Sequence, residues 1–233
     1  MLEEIENEER PAILQAAEAA YASIRGGGLL HVFASGHSHM IVEEMFYRCG
    51  GLIPVNPILD NSLMLHEGAV TSTKMERMPG KAAEVFAKAN IQPGDTVLIS
   101  SNTGINTVCI EGAQFARAHG ATVVCVTSTK VSRALASRHP QGLKLYQLSD
   151  VVIDNHAPMG DCLLSVPASG QGTGGASTFG SLFIAQRIVL HIENLYLQDG
   201  LLPPIYESAN LPGGDAYNEK MIEQYQGRIK ALC

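Results

Sequence analysis

The sequence predicts an α/β fold in which a mostly parallel β-sheet lies between two layers of helices. Short apolar segments that suit buried strands alternate with longer segments whose apolar residues recur at helical spacing. The strand segments are apolar along nearly their whole length, as in LLHVFAS at 29–35 and TVLIS at 96–100. Such continuous apolarity is typical of parallel strands covered on both faces. We therefore expect a three-layer α/β/α sandwich.

The first half of the chain begins with a helix and then alternates strands with helices. Apolar residues recur at helical spacing over the first two dozen residues, and Gly26, Gly27 and Gly28 end that segment. Residues 57–80 show no regular pattern. The elements predicted after the first helix are the strand 29–35, the helix 40–48, the strand 52–55 and the helix 81–89.

The second half repeats the alternation. Ile105, Cys109, Gly112, Ala113 and Ala116 form one stripe at helical spacing, which predicts a helix buried on one face. The glycine-rich stretch SGQGTGG (169–175) suits a flexible connector. The predicted elements are the strand 96–100, the helix 108–120, the strand 121–128, a short helix at 132–138, the strand 151–155 and a helix from about 177 to 196.

No change of composition divides the chain. Residues 1–200 are therefore predicted to form one domain, which includes an N-terminal helical arm. Residues 201–233 contain LPP, LPGGD and a last amphipathic segment. We expect them to form a helical tail that packs on the domain or on a neighbouring subunit.

Composition excludes several classes of partner. The formal charge of −7 and the absence of a basic run argue against nucleic-acid binding, which requires basic patches. The acidic start MLEEIENEER does not resemble a secretory signal, and the longest apolar stretches are too short to span a bilayer. The five cysteines are scattered and form no CxxC pair, as in reduced proteins. We expect a cytoplasmic protein that does not bind membranes.

Two strand-to-helix loops have the same design. Ser35 to Ser38 (SGHS) follow the first strand, and Ser101 to Gly104 (SNTG) follow a later one. Parallel sheets bind ligands at the carboxyl ends of their strands, and the start of a helix favours an anion. Neither loop contains Lys or Arg, which suits a compact phosphate monoester held by neutral donors. Capping of the helices without any ligand is the alternative. Neither a P-loop nor GxGxxG is present, so nucleotide binding is not supported.

These loops resemble the motifs of the SIS (sugar isomerase) domain family. FASGHSH (33–39) is similar to the family's first motif, a strand followed by a G-x-S-type loop and a helix. Ser101 to Asn106 resemble the second motif, roughly S-x-S-G-x-T before a helix. The segments IEGAQFARAHGATVVCVTS and SDVVIDN also match, so the resemblance covers about residues 3–196. It implies a SIS-type, flavodoxin-like fold whose domain binds a phosphosugar.

The resemblance also implies which residues contact the sugar phosphate. Ser38, Ser101 and Thr103 match the family's phosphate-binding positions, and Asn106 stands where the family usually has Thr or Ser. Asn can still donate a hydrogen bond, so we expect phosphate binding with a changed preference for the sugar. The complete set of predicted phosphate-binding residues is Ser35, Gly36, His37, Ser38, Ser101, Asn102, Thr103 and Asn106.

Aldose–ketose isomerisation requires a base that moves a proton between adjacent carbons and an acid that helps to open the ring. Phosphoheptose isomerases of this family place a Glu ten residues after the first-loop Ser, but that position is Arg48 here. Another family pattern has a Glu near a His after the second strand, which points to Glu67 as the base and His66 as its proton-transfer partner. The alternative is that both are solvated loop residues. Glu43 is a further candidate.

A metal site is not expected. His37 and His39 diverge at a helix start, and no carboxylate or Cys lies at ligand spacing nearby. Glu44 and Arg48 suit a surface i,i+4 ion pair. Gln186 stands roughly where a relative has an imidazole. The resemblance also implies that the loop before the same helix, the glycine-rich stretch 169–175, lies beside the ligand.

The leading hypothesis from the sequence is a phosphosugar isomerase that needs no cofactor and works through an enediolate-like intermediate. A phosphosugar etherase or lyase is an alternative, because the same proton abstraction begins both reactions. A non-catalytic phosphosugar-binding regulatory protein is another, although no basic helix-turn-helix precedes residue 29. The family resemblance implies a homodimer or homotetramer.

Overall fold

A sheet of five parallel strands forms the centre of the structure, a computed structural model that describes residues 1–233. The strands are β1 (Leu30–Ala34), β2 (Val55–Ile58), β3 (Thr96–Ser100), β4 (Thr122–Thr127) and β5 (Val151–Asp154). They lie in the order β2-β1-β3-β4-β5, which is the flavodoxin-like order. The predicted three-layer fold is therefore confirmed.

Helices cover both faces of this sheet. Because side chains alternate along a strand, Val32 of β1 faces one core and Phe33 faces the other. The first core packs against the N-terminal helices and the long helix α8, whereas the second packs against α5 and α6. The helices are α1 (Leu2–Glu8), α2 (Arg10–Arg25), α3 (Met40–Met45), α4 (Ala69–Met75), α5 (Lys81–Phe86), α6 (Thr107–Ala118), α7 (Thr129–Ala134), α8 (Ser177–Gln198) and α9 (Gly214–Tyr225).

The second strand lies further along the chain than the sequence predicted, and the helix before it is shorter. Strand β2 begins at Val55, where the predicted strand ends. The apolar residues Leu52 and Ile53 are buried because they pair with the tail: Leu52 bridges Ile205, and the Ile53 N–H donates to the Pro204 carbonyl at 2.9 Å. Helix α3 ends at Met45, since the backbone is extended at the next residue.

Two segments predicted to be irregular contain regular structure. Helix α4 lies within residues 57–80. The glycine-rich stretch contains β7 (Gly172–Gly175), which pairs with β6 (Cys162–Ser165) in an antiparallel hairpin, rather than a flexible connector. The hairpin was missed because its second strand, GTGG, lacks the β-branched and aromatic residues that mark strands.

A buried polar network ties the tail to the amino-terminal side of the sheet. Asp95 is completely buried and accepts hydrogen bonds from His31 Nε2 at 2.9 Å, Arg228 Nη2 at 2.7 Å and the Leu29 N–H at 2.9 Å. The Asn56 amide contacts His31 Nδ1 at 2.9 Å. Burial alone would raise the pKa of Asp95, but these hydrogen bonds lower it to about 2. The tail is thus anchored to the domain by Arg228.

Candidate active site

A cleft of about 240 Å³ lies at the carboxyl ends of β1 and β3. The chain runs from β1 outward to β2 and then crosses back to β3, so this is the topological switch point at which such sheets bind ligands. The loop after β1, the loop after β3 and helix α4 form its walls. The lining residues are Ser35, Gly36, His37, Ser38, Leu65, Ser72, Thr73, Glu76, Ser101, Asn102, Thr103 and Asn106.

This cleft brings together all eight residues that the sequence predicted to bind phosphate. Gly36 and Gly104 adopt positive φ values of 57° and 60°, which favour glycine and turn the backbone into the helices that follow. The backbone N–H groups of Asn102, Thr103 and Ile105 donate to no other group of the chain. Free amides and hydroxyl groups in one concave site can bind an anion without a positively charged side chain. Their role as phosphate ligands remains a prediction.

The loop after β3 is held in shape by its neighbours. Ser101 Oγ accepts from the Gly104 N–H at 3.2 Å, and the Gly104 carbonyl accepts from the Leu145 N–H at 2.9 Å. The Asn102 carbonyl accepts from the Ser128 N–H at 2.9 Å and from Thr127 Oγ1 at 3.2 Å. The donors are therefore fixed before any ligand arrives, which reduces the entropic cost of binding.

Substitution of Gly104 tests the importance of this loop shape. In Gly104→Ala the new Cβ would lie 3.0 Å from Thr127 Oγ1 and 3.1 Å from Ser132 Oγ, at a φ that L-residues disfavour. The backbone conformation alone costs about 1–2 kcal/mol, and crowding adds to it. Gly142→Ala is the matched control, since its φ is 70° and its Cβ would meet nothing within 4 Å. Urea unfolding should show a larger loss of stability for Gly104→Ala; equal losses would exclude crowding at the loop.

Glu76, directly after helix α4, is the acidic residue of the cleft. Its partly buried carboxylate accepts a hydrogen bond from Ser35 Oγ at 2.9 Å, and its carbonyl accepts from the Val108 N–H of α6 at 3.1 Å. Burial raises the pKa of Glu76, and the hydrogen bond from Ser35 and the positive charges of Arg77 and Arg138 offset only part of that effect. A carboxylate of this kind is typical of a general base.

Glu76 was not predicted from the sequence, because residues 57–80 show no regular pattern and no helix was expected there. Ser72, Thr73 and Glu76 are three and four residues apart, so a helix places them on one face, and all three line the cleft. That spacing in TSTKME was the signal that could have found this residue.

The two predicted catalytic residues lie elsewhere on the same segment. The side chains of His66 and Glu67 are 69% and 50% exposed, and their nearest approach is 3.7 Å. Glu67 lines a separate recess with Asn61, Ser62, Gly68 and Thr71, whereas the adjacent Leu65 lines the cleft. Their catalytic role stays a prediction, but the structure does not bring them to the predicted phosphate-binding loops.

The two histidines of the first loop have different surroundings. His37 is exposed in the cleft, and its Nδ1 lies 3.3 Å from Thr178 Oγ1 at the start of α8. His39 Nδ1 donates to the Gly36 carbonyl at 2.5 Å and so braces the loop. No group of three or more His, Cys, Asp or Glu side chains in residues 1–233 is arranged to hold a metal ion.

Arg48 and Gln186 both contact Glu44 outside the cleft. Arg48 and Glu44 form the expected i,i+4 ion pair, and Gln186 Nε2 donates to Glu44 Oε1 at 2.6 Å. The contact of Gln186 with Glu44 joins α8 to α3. A larger recess of about 320 Å³ lies between Tyr47, Tyr206 and helix α9, and neither phosphate loop lines it.

No helix of the structure is long and apolar enough to cross a membrane.

Comparison with known proteins assigns the chain to a described family. The sequence profile of the SIS domain matches residues 1–128. A UPF0309 protein of Halalkalibacterium halodurans is 39% identical over 225 residues, which cover 97% of this chain and 93% of that protein.

Two solved structures have a similar fold at low sequence identity. A phosphoheptose isomerase from Francisella tularensis has a TM-score of 0.53 at 18% identity and covers 82% of this chain and 90% of its own. A putative phosphosugar isomerase involved in capsule formation from Bacteroides fragilis has a TM-score of 0.54 at 20% identity, with 84% and 85% covered.

Proposed function

Because the chain belongs to the SIS domain family, we propose that it is a sugar-phosphate isomerase that interconverts an aldose and a ketose. The observation that carries the proposal is one cleft in which two loops of neutral hydrogen-bond donors face a partly buried carboxylate with a raised pKa. The donors suit a phosphate group, and the carboxylate suits proton transfer at carbon.

The phosphate would bind between the two loops. Ser38, Ser101 and Thr103 offer hydroxyl groups, and the free backbone N–H groups of the second loop add further donors. A phosphate group takes no part in the proton transfer. Its binding energy therefore holds the reacting carbons in position, which is how remote contacts raise the rate of a reaction.

Glu76 would act as the base. Its carboxylate would take the proton from the carbon beside the carbonyl group, which leaves an enediolate-like intermediate, and would return the proton to the adjacent carbon. The hydrogen bond from Ser35, directly after β1, holds the carboxylate in place in the cleft. The raised pKa makes this carboxylate a stronger base than an exposed one.

His37 is the histidine that lines the cleft, and its imidazole would donate a proton to the sugar oxygens. Its Nδ1 contacts Thr178 Oγ1 at the start of α8. The earlier candidates Glu67 and His66 remain the alternative pair, and they would require the sugar to extend towards the separate recess.

A thermal-shift screen tests the binding site. The ligands are hexose, pentose, heptose, amino-sugar and N-acetylmuramic 6-phosphates. A ligand at a hundred times its dissociation constant stabilises the folded protein by about 2.7 kcal/mol. We expect Ser101→Ala to reduce the shift, because a phosphate-facing hydroxyl is lost. The control is Ser208→Ala, in the recess between Tyr47, Tyr206 and helix α9, which should leave the shift unchanged.

Each outcome of the screen bears on one function. A shift that Ser101→Ala reduces supports the phosphate site and identifies the compound for an isomerase assay. Binding without turnover would support the alternative of a regulatory phosphosugar-binding protein, and release of a leaving group would support an etherase or lyase. No shift with any phosphosugar would contradict the proposal. The homodimer or homotetramer remains a prediction for light scattering to test.

A further inference from the structure

Asn106 uses its side chain in an unexpected way. It stands at the N-cap of α6 and is 8% exposed, yet its side chain makes no capping hydrogen bond. Instead, its Oδ1 accepts a hydrogen bond from Arg138 Nη1 at 2.6 Å. Because a guanidinium group can only donate, this contact fixes which end of the amide is the oxygen. The amide NH₂ group of Asn106 must therefore point away from Arg138.

Arg138 is held beside α6 by its own backbone. Its N–H donates to the Ile105 carbonyl at 3.0 Å, and its carbonyl accepts from Thr107 Oγ1 at 3.2 Å. These contacts lie on either side of Asn106 in the sequence. The guanidinium group is thus fixed at the start of the helix, although its residue lies 32 positions further along the chain.

Asn106 and Glu76 line the same cleft, and the Asn106 oxygen is occupied by Arg138, so the NH₂ group is free to act towards Glu76. Hydrogen bonding from the Asn106 side chain lowers the pKa of Glu76. The backbones of the two segments are also joined, because the Val108 N–H of α6 donates to the Glu76 carbonyl after α4 at 3.1 Å. The carboxylate therefore receives a hydrogen bond from Ser35 and shares the cleft with the Asn106 amide.

We propose that Asn106 is a positioning residue that orients the Glu76 carboxylate, and that Arg138 holds Asn106 in the required orientation. This inference rests on the proposed role of Glu76 and gives Asn106 a task other than the phosphate binding predicted from the sequence. A Ser or Thr hydroxyl can also accept and donate, but only through one oxygen on a shorter side chain. The Asn amide instead accepts from Arg138 with its oxygen and presents its NH₂ group on the other side.

Several charged and titratable groups around Glu76 affect the pKa of its carboxylate. Arg77 and Arg138 favour the ionised carboxylate. Burial raises the pKa of the Cys109 thiol beneath the site to about 12, so that thiol stays neutral. His37 faces the same cleft from the first loop. Loss of the donor at Asn106 should therefore raise the pKa of Glu76 further.

The kinetic test uses Asn106→Thr, because Thr is a good N-cap and should preserve the helix. We expect kcat to fall about 10- to 100-fold, as when a catalytic group is misplaced. The acid limb of the pH–rate profile should move to higher pH, while the dissociation constant of the sugar phosphate changes less than twofold. A tenfold weaker dissociation constant with an unchanged pH profile would instead make Asn106 a phosphate ligand and overturn the proposal.

An NMR titration tests the same proposal without any turnover. The ¹³C signal of the Glu76 side-chain carboxyl is followed against pH in the native protein, in Asn106→Thr and in Arg138→Gln. We expect the midpoint to rise in both variants and to stay unchanged in Arg133→Gln, whose guanidinium group instead lies over the Tyr146 ring. An unmoved midpoint in Asn106→Thr would refute the contact. If the native protein turns over no sugar phosphate, the proposed function fails, whereas this titration still decides the role of Asn106.

Discussion

Glu76→Gln is expected to reduce turnover by about 10²- to 10⁴-fold, because an amide cannot take a proton from carbon. Gln has the same size and still accepts the hydrogen bond from Ser35, so the sugar phosphate should bind with nearly its native affinity. Steady-state kinetics combined with a binding isotherm separates these two effects. The same substitution at Glu67 is the control, since that carboxylate is half exposed and lines another recess.

The reverse pattern would contradict this assignment. If Glu67→Gln removed activity and Glu76→Gln retained it, the base would be the residue predicted from the sequence. If both variants kept full activity, neither carboxylate would be the base. Loss of binding in Glu76→Gln would indicate a structural role for that carboxylate.

At neutral pH, Glu76→Gln should lose activity but gain stability. The pKa of Glu76 is higher in the folded protein than its ordinary value, so the folded state holds its proton more tightly than the unfolded state. The stability associated with this group is therefore present at low pH and is lost as pH rises above the ordinary pKa of 4.5. At pH 7, Glu76→Gln should have a higher Tm than the native protein, whereas at pH 4 the difference should shrink.

Asp95→Ala is expected to cause the largest loss of stability, about 3–5 kcal/mol, because removal of one partner leaves the others buried and unpaired. Asp95 accepts from His31, from Arg228 and from two backbone N–H groups, of Leu29 and Gln92. Urea unfolding measures the loss. Asp215→Ala is a suitable control, because Asp215 is exposed and such changes usually stay within about 0.5 kcal/mol.

The variant should also release the tail. Arg228 would lose its buried carboxylate partner, so limited proteolysis should cut within residues 201–233 more rapidly than in the native protein. An Asp95→Ala protein as stable and as resistant to proteolysis as the control would show that the network does not anchor the tail.

The same network predicts a response to acid. Asp95 has a pKa of about 2 in the folded protein, below its ordinary value of 3.8. Its contribution to stability is therefore complete above about pH 4 and is lost as pH falls through about 2. Asp95→Asn should remove this part of the acid dependence, which unfolding curves measured between pH 2 and 5 would detect.

The sequence was sufficient for those parts of the fold that depend on local patterns. The apolar strands β1, β3 and β4 and the two hydroxyl-rich loops after β1 and β3 are each readable within about ten residues. Parallel strands align their carboxyl ends, so the meeting of the two loops followed from topology.

The rest of the site depends on contacts between residues far apart in the sequence. Glu76 faces Ser35 across 41 residues, and Asn106 faces Arg138 across 32. Helix α4 is only seven residues long, and its N-cap, Gly68, makes no side-chain cap hydrogen bond. The sequence around it therefore gives little indication that a helix forms there. Leu52 and Ile53 are apolar because they are buried against the tail. For that reason the second strand was predicted too early in the sequence.

The most direct measurement is ¹H NMR of sugar phosphates incubated with the protein in D₂O. A proton that Glu76 takes from the sugar can exchange with deuterium from the solvent. At least one aldose or ketose phosphate should therefore gain deuterium beside its carbonyl group or convert to its isomer. Glu76→Gln should abolish both signals, and Glu67→Gln should retain them. A sugar phosphate that binds to the native protein but shows neither deuterium incorporation nor isomerisation would contradict the isomerase account.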